Sequence, residues 1–410
     1  MSNEWQLCEL GDLGVLRLRG PDGVRFLQGQ VSSDVEQLTP ERSQLAGYHN
    51  PQGRAIAVLR LVRLAPDDLL AILPRELAPP VATRLGKFIL RAKVKIADES
   101  GTWRARGLIA PHLVGSAGNG ASANASAAPP VSSGAGHDPG APGTSSSAGR
   151  SEDLAQEFEA RAASWAATQF ETARAQAEAA GERTFAAVQL ENADSVVELR
   201  TAAALMLPDG VNAQSHSGAT VIVRVGATPP RWLILSPAGE EIPLSGCKPA
   251  GRDAWRLLDI ADGIPQIYAA TSEEFVAQML NLDALGGVSF EKGCYTGQEV
   301  IARAHYRGRV KRRLQRFMSR GPAKLTIGES GQFADGRAFK VVEAALLTNG
   351  RCEFLAVAPM VTDATGTEDG RAGSETRHST TEPGAGVKAE SAAAASIDAE
   401  PLPLPYALPE

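Results

Sequence analysis

The sequence predicts an α+β protein: mixed and antiparallel sheets with flanking helices, ending in a small β-barrel. Three observations lead there. Apolar runs of strand length recur along the chain, set apart by strong turn signals such as Asn50-Pro51-Gln52-Gly53. Helical patterns stand between and beside them, at 24–28, 75–90, 152–180 and 272–280. Past residue 320 only brief β-like runs remain, at 331–333, 338–342 and 354–357.

In chain order, residues 13–18 read as a strand, and Pro21-Asp22-Gly23 as a turn. A short helix follows over 24–28, with Asp22 as its N-cap and Gly29 as its stop. Strands are expected at 45–49, 54–62 and 68–73. The run 75–90 is more helical, interrupted by Pro79 and Pro80. Residues 93–97 alternate as a half-buried strand does. From 115 to 150 the composition narrows to Gly, Ala, Ser and Pro, which cannot bury enough apolar surface to order itself. In 152–180, Leu154, Phe158, Ala162, Trp165 and Gln169 fall at helical spacing. Further strands are expected at 196–207, 220–225, 231–235 and 255–260. A tight turn follows at Asp262-Gly263-Ile264-Pro265, then a helix over 272–280 capped by Thr271 or Ser272. Residues 361–399 are again low in complexity. The final Leu- and Tyr-containing segment is expected to dock as an extended edge.

The 410 residues suffice for two or three domains, and 43% hydrophobic against 21% charged residues implies a substantial core. A net charge of −6 argues against indiscriminate nucleic-acid binding, so any such contact is local. Cysteines 8, 247, 294 and 352 form no Cys-x-x-Cys pair and no zinc-type spacing, as expected of free thiols in a reducing compartment; no metal site is predicted. No signal segment is visible and no run is long enough to span a bilayer, so a soluble, cytoplasmic protein is expected.

Residues 288–314 concentrate the chemistry. Cys294 lies in a Gly-Cys-Tyr-Thr-Gly turn, with Lys292 two residues before it and glycines 293 and 297 on either side. It is either a thiol activated by nearby charge and backbone N–H groups or a cysteine packed in a tight turn. His49 and His305 are candidate bases that nothing in the sequence places beside it. Glu299 either holds a ligand's amine or ring edge or pairs with Arg303 four residues on. Arg303, Arg307, Arg309, Lys311, Arg312 and Arg313 form a run of cations with no acid among them. They suit phosphates, a polyglutamate tail or RNA, or else make a solvated face. Trp255 is either a stacking ring or a core residue. Asp34 either faces the same cavity or caps a turn.

The stretch Lys292-Gly293-Cys294-Tyr295-Thr296-Gly297-Gln298-Glu299 resembles the signature of the YgfZ family, folate-binding proteins related to the glycine-cleavage T-protein. Asn281-Leu282-Asp283-Ala284-Leu285-Gly286-Gly287 before it agrees, as do Ala302-Arg303, Arg307-Gly308 and Lys311-Arg312-Arg313 after it. Phe26-Leu27-Gln28-Gly29-Gln30-Val31 with Asp34, Gln52-Gly53-Arg54 and the run 403–408 are similar to further family segments. The resemblance implies three domains in a ring around a folate cavity. It implies tetrahydrofolate or a derivative as cofactor. It also implies an accessory role in assembling or repairing iron–sulfur clusters of selected enzymes, including those that methylthiolate tRNA. Cys294 matches the cysteine on which the family depends, and Trp255 a folate-binding tryptophan; Leu13 stands where the family has a second one. Rival readings are a folate-dependent aminomethyl or one-carbon transferase and a module that holds tRNA directly. The implied division is 1–114 for the first part of the folate-binding region, 115–150 for a disordered insertion and 151–195 for an inserted helix and connection. A second α+β domain follows at 196–252, then a return segment at 253–319 with the cysteine motif. The barrel takes 320–410, with a disordered insertion at 361–399.

Overall fold

The computed structural model describes residues 4–111, 207–242, 244, 246–308, 310–360 and 396–409. The expected insertion at 115–150, the helix at 152–180, the run 196–206, Arg309 and most of 361–399 lie outside the described residues.

Strand β1 (Gln6–Glu9) leads to β2 (Leu13–Arg19), helix α1 (Gly23–Gln28), β3 (Gln44–His49), β4 (Ala55–Ala65) and β5 (Asp68–Pro74). Helix α2 (Ala78–Gly86), β6 (Lys95–Asp98) and β7 (Trp103–Ile109) follow. After the gap come β8 (Gln214–Ser217), β9 (Thr220–Ala227), β10 (Pro230–Pro237), β11 (Lys248–Ala250), α3 (Arg252–Ala261) and α4 (Gln298–Arg307). The last strands are β12 (Arg312–Ser319), β13 (Ser330–Phe333), β14 (Ala338–Leu346), β15 (Cys352–Pro359), β16 (Ser396–Ile397) and β17 (Ala399–Leu402).

Three sheets result, in the orders β11-β1-β7-β10-β9-β8, β3-β4-β5-β2-β6 and β16-β13-β14-β15-β12-β17. Two pairings, β1 with β11 and β13 with β16, are parallel and the rest antiparallel, so the expected mixed sheets are observed, with few helices among the described residues. The third sheet begins at β16 and ends at β17, which only Asp398 separates in the chain. Its two edges therefore meet, giving the nearly closed, barrel-like sheet expected near the end. Phe317, Phe333, Phe339 and Phe354 fill it, with neighbouring rings 4.5–5.8 Å apart.

The five-stranded sheet is apolar on both faces. In β5, Leu69, Ala71 and Leu73 join the largest core while Leu70 and Ile72 join the core beneath the first sheet. The two-residue period of a strand sends neighbours to opposite sides. This double burial explains why the 55–62 run reads as almost continuously apolar.

Four expectations are corrected. Residues 255–260 are not a strand: they lie in α3, which Gly251 precedes and in which Arg252, Trp255 and Asp259 share one face. Residues 272–280 are not an α-helix. Glu273 takes φ 66°, and its N–H donates to the Ala55 carbonyl, so the segment lies along β4 until a 3₁₀ turn at Ala277–Leu280. Pro79 and Pro80 do not interrupt a helix; they open α2, where a missing N–H costs nothing. Asp22 precedes α1, but its carboxylate accepts from the Lys93 N–H instead of capping the helix. No helix among the described residues is long and apolar enough to cross a membrane.

Candidate functional site

Three stretches that stand far apart in sequence meet at the Cys294 turn. The Lys292 ammonium donates to the carbonyls of Gln28 at 2.6 Å, Val31 at 2.8 Å and Ser33 at 2.9 Å. The Ser289 N–H donates to the Ser32 carbonyl, and the Ser32 hydroxyl donates to that of Gly287. On the other side, Gly297 takes φ 84°, and a Cβ there would stand 2.5 Å from the Asn50 carbonyl oxygen and 2.9 Å from Gly53 Cα. Only glycine permits both that conformation and that approach. Helix α4 then starts, anchored by buried Ile301, whose carbonyl accepts from the Gln278 side chain. Tyr295 is buried with its ring 5.1 Å from the Lys292 nitrogen, and Gln298 accepts from the Tyr295 N–H.

The Cys294 thiol itself is exposed. Lys292 does not supply it with a free charge, because the ammonium is buried and bound to backbone oxygens. Burial lowers the Lys292 pKa to about 8, with Asp34 and Glu36 acting in the opposite sense. Neither candidate base bonds to the thiol among the described residues. His49 is fully buried over Gly47 with neither ring nitrogen hydrogen-bonded among the described residues, and burial lowers its pKa to about 4, so it is neutral. His305 stacks on Phe290 with ring centres 3.8 Å apart.

The basic run divides. Arg313 is buried and forms a fork with Asp283, both nitrogens at 3.0 Å. Arg312 donates to the carbonyls of Ala338 and Val357. Arg303 pairs with Glu299 at 3.0 Å on the surface, the two 70% and 86% exposed. Arg307 and Lys311 are exposed, without a partner among the described residues. Asp34 lies at the thiol side of the molecule, where it accepts from the Gln28 and Gln37 amides and the Glu36 N–H.

Trp255 and Leu13 are brought together elsewhere, at a cavity of about 40 Å³ between the first two sheets and α3. Sequence reasoning missed the polar residues that line it with them: Arg60, Arg252, Asp259 and Gln266. Behind them lies Arg231, fully buried, with one nitrogen 2.6 Å from Asp259 and another 2.8 Å from Asp262. Its guanidinium lies over the Trp255 ring at 4.8 Å. Gly107 lets that ring lie against β7, since a Cβ there would collide with it. Arg60 donates to Ser43 and Asn212; burial lowers its pKa to about 10, leaving it cationic at neutral pH. Arg252 binds Asp12 through Nε, but its Nη1 is buried without a hydrogen-bond partner among the described residues, as is the Gln266 Oε1.

A buried unpaired donor and acceptor in one cavity are costly unless something else satisfies them. They fit the edge of a pterin, which presents an acceptor and donors side by side. The open space holds only about two or three waters, so a bicyclic ring would enter only if Leu13, Arg252 or Gln266 moved aside.

No family model matches the chain. It is 28% identical over 354 residues to the tRNA-modifying protein YgfZ of Cronobacter sakazakii, covering 84% of this chain and 82% of that one. It is 25% identical over 377 residues to the protein of the same name from Colwellia psychrerythraea, covering 87% and 89%. Among solved structures it is similar to the glycine cleavage system aminomethyltransferase T from Bartonella henselae. There the TM-score is 0.51 at 12% identity, over 87% of this chain and 79% of that one, a likeness of fold alone. The resemblance read from residues 292–299, with its relation to the T-protein, is borne out over most of the chain.

Proposed function

With YgfZ proteins as its relatives, we propose that this chain is a folate-binding accessory factor for iron–sulfur enzymes that modify tRNA. The observation that carries the folate part is the cavity beside Trp255, where Arg252 Nη1 and Gln266 Oε1 are buried and unpaired among the described residues. Gln266 accepts from the ring's amino edge, Arg252 donates to its carbonyl side, and Trp255 flanks it. Leu13 fills apolar space where a second ring would stack. Tetrahydrofolate, when bound, supplies a one-carbon carrier and a reductant. The three-domain ring around this cavity belongs to the same reading, as do the domain boundaries drawn from the motifs.

Cys294 is the working thiol. Its exposure lets a cluster or partner enzyme reach the sulfur, while the Lys292 clamp fixes the turn that presents it. The protein offers a thiol and a cofactor site; among the described residues no group of metal-ligating side chains occurs. Glu299, exposed on α4, meets the partner.

The test is complementation. In cells lacking their own YgfZ protein, wild type should restore 2-methylthio modification of tRNA and Cys294→Ser should not. Restoration by both would remove the thiol's role. Failure of both, with each protein folded, would leave a one-carbon transferase on the T-protein fold as the better reading.

A further inference from the structure

A groove on the thiol side of the molecule is used neither by the Trp255 cavity nor by the core. We propose that it seats a nucleobase of single-stranded RNA, stacked on Tyr306, with the strand's phosphates along Arg303 and Arg307. The groove measures about 460 Å³ and is lined by Phe290, His305 and Tyr306 together with Asp34, Gln37 and Glu291.

The aromatic side is built. Phe290 and His305 stack face to face, their planes 13° apart. Tyr306 meets them edge-on, at 4.8 Å from His305 and 6.0 Å from Phe290. The cluster holds the tyrosine in place, yet Tyr306 remains 68% exposed. A fixed aromatic ring in water is a platform for a second ring, and every base has a face to offer it.

The polar side selects the edge. The Asp34 carboxylate is engaged by Gln28, Glu36 and Gln37. Glu291 is exposed and makes no hydrogen bond or ion pair among the described residues. An ionised carboxylate only accepts, so it favours a base that shows donors. Guanine shows a ring N–H and an amino group on one edge; uracil has no amino group.

The cations lie outside the groove. At about 100° per residue along a helix, Tyr306, Arg303 and Arg307 fall within one arc of about 100°, and exposed Lys311 follows. Among the described residues Arg303 is held only by its exposed pair with Glu299, a weak tie. Base in the groove and phosphates on the helix face therefore match the charges, whereas a phosphate inside the groove would meet Asp34 and Glu291. This goes beyond the folate reading and shares no residue with the Trp255 cavity.

The test is fluorescence anisotropy of short labelled single-stranded RNAs, one containing guanines and one of uracil alone, with the full chain at several salt concentrations. Tyr306→Ala should weaken binding about tenfold, the loss of one stacked base. Arg307→Ala should weaken both RNAs alike and reduce the salt slope by about one contact. Glu291→Gln should abolish the preference for guanine. All three residues are exposed, and circular dichroism and tetrahydrofolate titration should match wild type, so failure here is separable from failure of the folate site. Unchanged RNA affinity in Tyr306→Ala would overturn the proposal. So would displacement by free GMP at the same nucleotide concentration, which would assign the groove to a mononucleotide.

Discussion

At the Cys294 turn the sulfur is outside and its anchor inside: the thiol is exposed, while the Lys292 ammonium is buried under three carbonyls. At the Trp255 cavity the order is reversed. The aromatic ring and the charges of Arg60, Arg231 and Asp259 are inside, and what is left unsatisfied, on Arg252 and Gln266, faces a small internal space. A thiol that serves large partners needs access and a fixed perch. A site for a small ring needs desolvated donors and acceptors, which discriminate because leaving them unpaired is expensive. The two regions should therefore respond to substitution in opposite ways.

The largest effect is expected at the perch. Lys292→Met keeps the length of the side chain and removes three charge-assisted hydrogen bonds, stranding buried carbonyls. A loss of about 3 kcal/mol in urea unfolding is expected. A loss below about 1 kcal/mol would mean that the turn holds itself and that the contrast drawn above is false.

Next comes a buried carboxylate packed against α3, within electrostatic reach of the cavity residues Arg252 and Asp259. Glu343 on β14 is fully buried, accepts from the Tyr268 hydroxyl at 2.7 Å and lies 3.1 Å from Arg256 Nε. Burial raises its pKa from 4.5 to about 7, against the pull of Arg256 and the Tyr268 hydrogen bond. An acid whose folded pKa is raised favours the folded state when protonated. Its contribution is thus fully present below pH 4.5 and is lost as pH rises to about 7. Glu343→Gln should stabilise the protein by about 2 kcal/mol at pH 8 and by little at pH 4.5. Equal melting-temperature gains at both pH values would show that ionisation is not the cause.

These two sites also differ in how far the sequence disclosed them. The thiol turn was legible because its parts are local and chemically distinctive: a lysine, a cysteine and two glycines within six residues. What remained hidden was the lysine's partner. The three carbonyls at 28–33 are backbone atoms, and no side-chain pattern marks them. The five-stranded sheet was legible through apolar runs and the Asn50–Gly53 turn. The cavity was not, because Arg60 comes from β4, Arg252 and Asp259 from α3 and Gln266 from the loop beyond. Reading 255–260 as a strand hid the one available signal, the i, i+3, i+7 spacing of Arg252, Trp255 and Asp259. The helix expected at 272–280 failed on tertiary pairing: the Glu273 N–H finds the Ala55 carbonyl, which outweighs a good cap and acidic first turn.

Gln266→Leu sharpens the comparison from the cavity side. The substitution deletes a buried, unpaired carbonyl, so it should leave stability unchanged or raise it by about 1 kcal/mol. Tetrahydrofolate binding, followed by calorimetry, should weaken about tenfold, the loss of one good hydrogen bond. Lower stability with intact binding would make Gln266 a packing residue and move the folate site elsewhere.

The smallest effect is expected on the exposed face of α4. Arg303→Ala breaks the ion pair with Glu299, but both groups are mostly in water. Such i, i+4 pairs contribute about 0.3–0.5 kcal/mol and are screened by salt. Alanine's better helix propensity recovers part of that. The melting temperature should therefore move by less than about 1 °C, and less still at high salt. A larger fall would mean that Arg303 meets the described core in a way the surface pair does not account for. The sparse anchoring of α4, by Ile301 alone among its buried side chains, would then need revision. With stability unchanged, any loss of partner or RNA binding in this variant reports on the cation itself. That makes the weakest structural contact on the thiol side the cleanest probe of what the helix face is for.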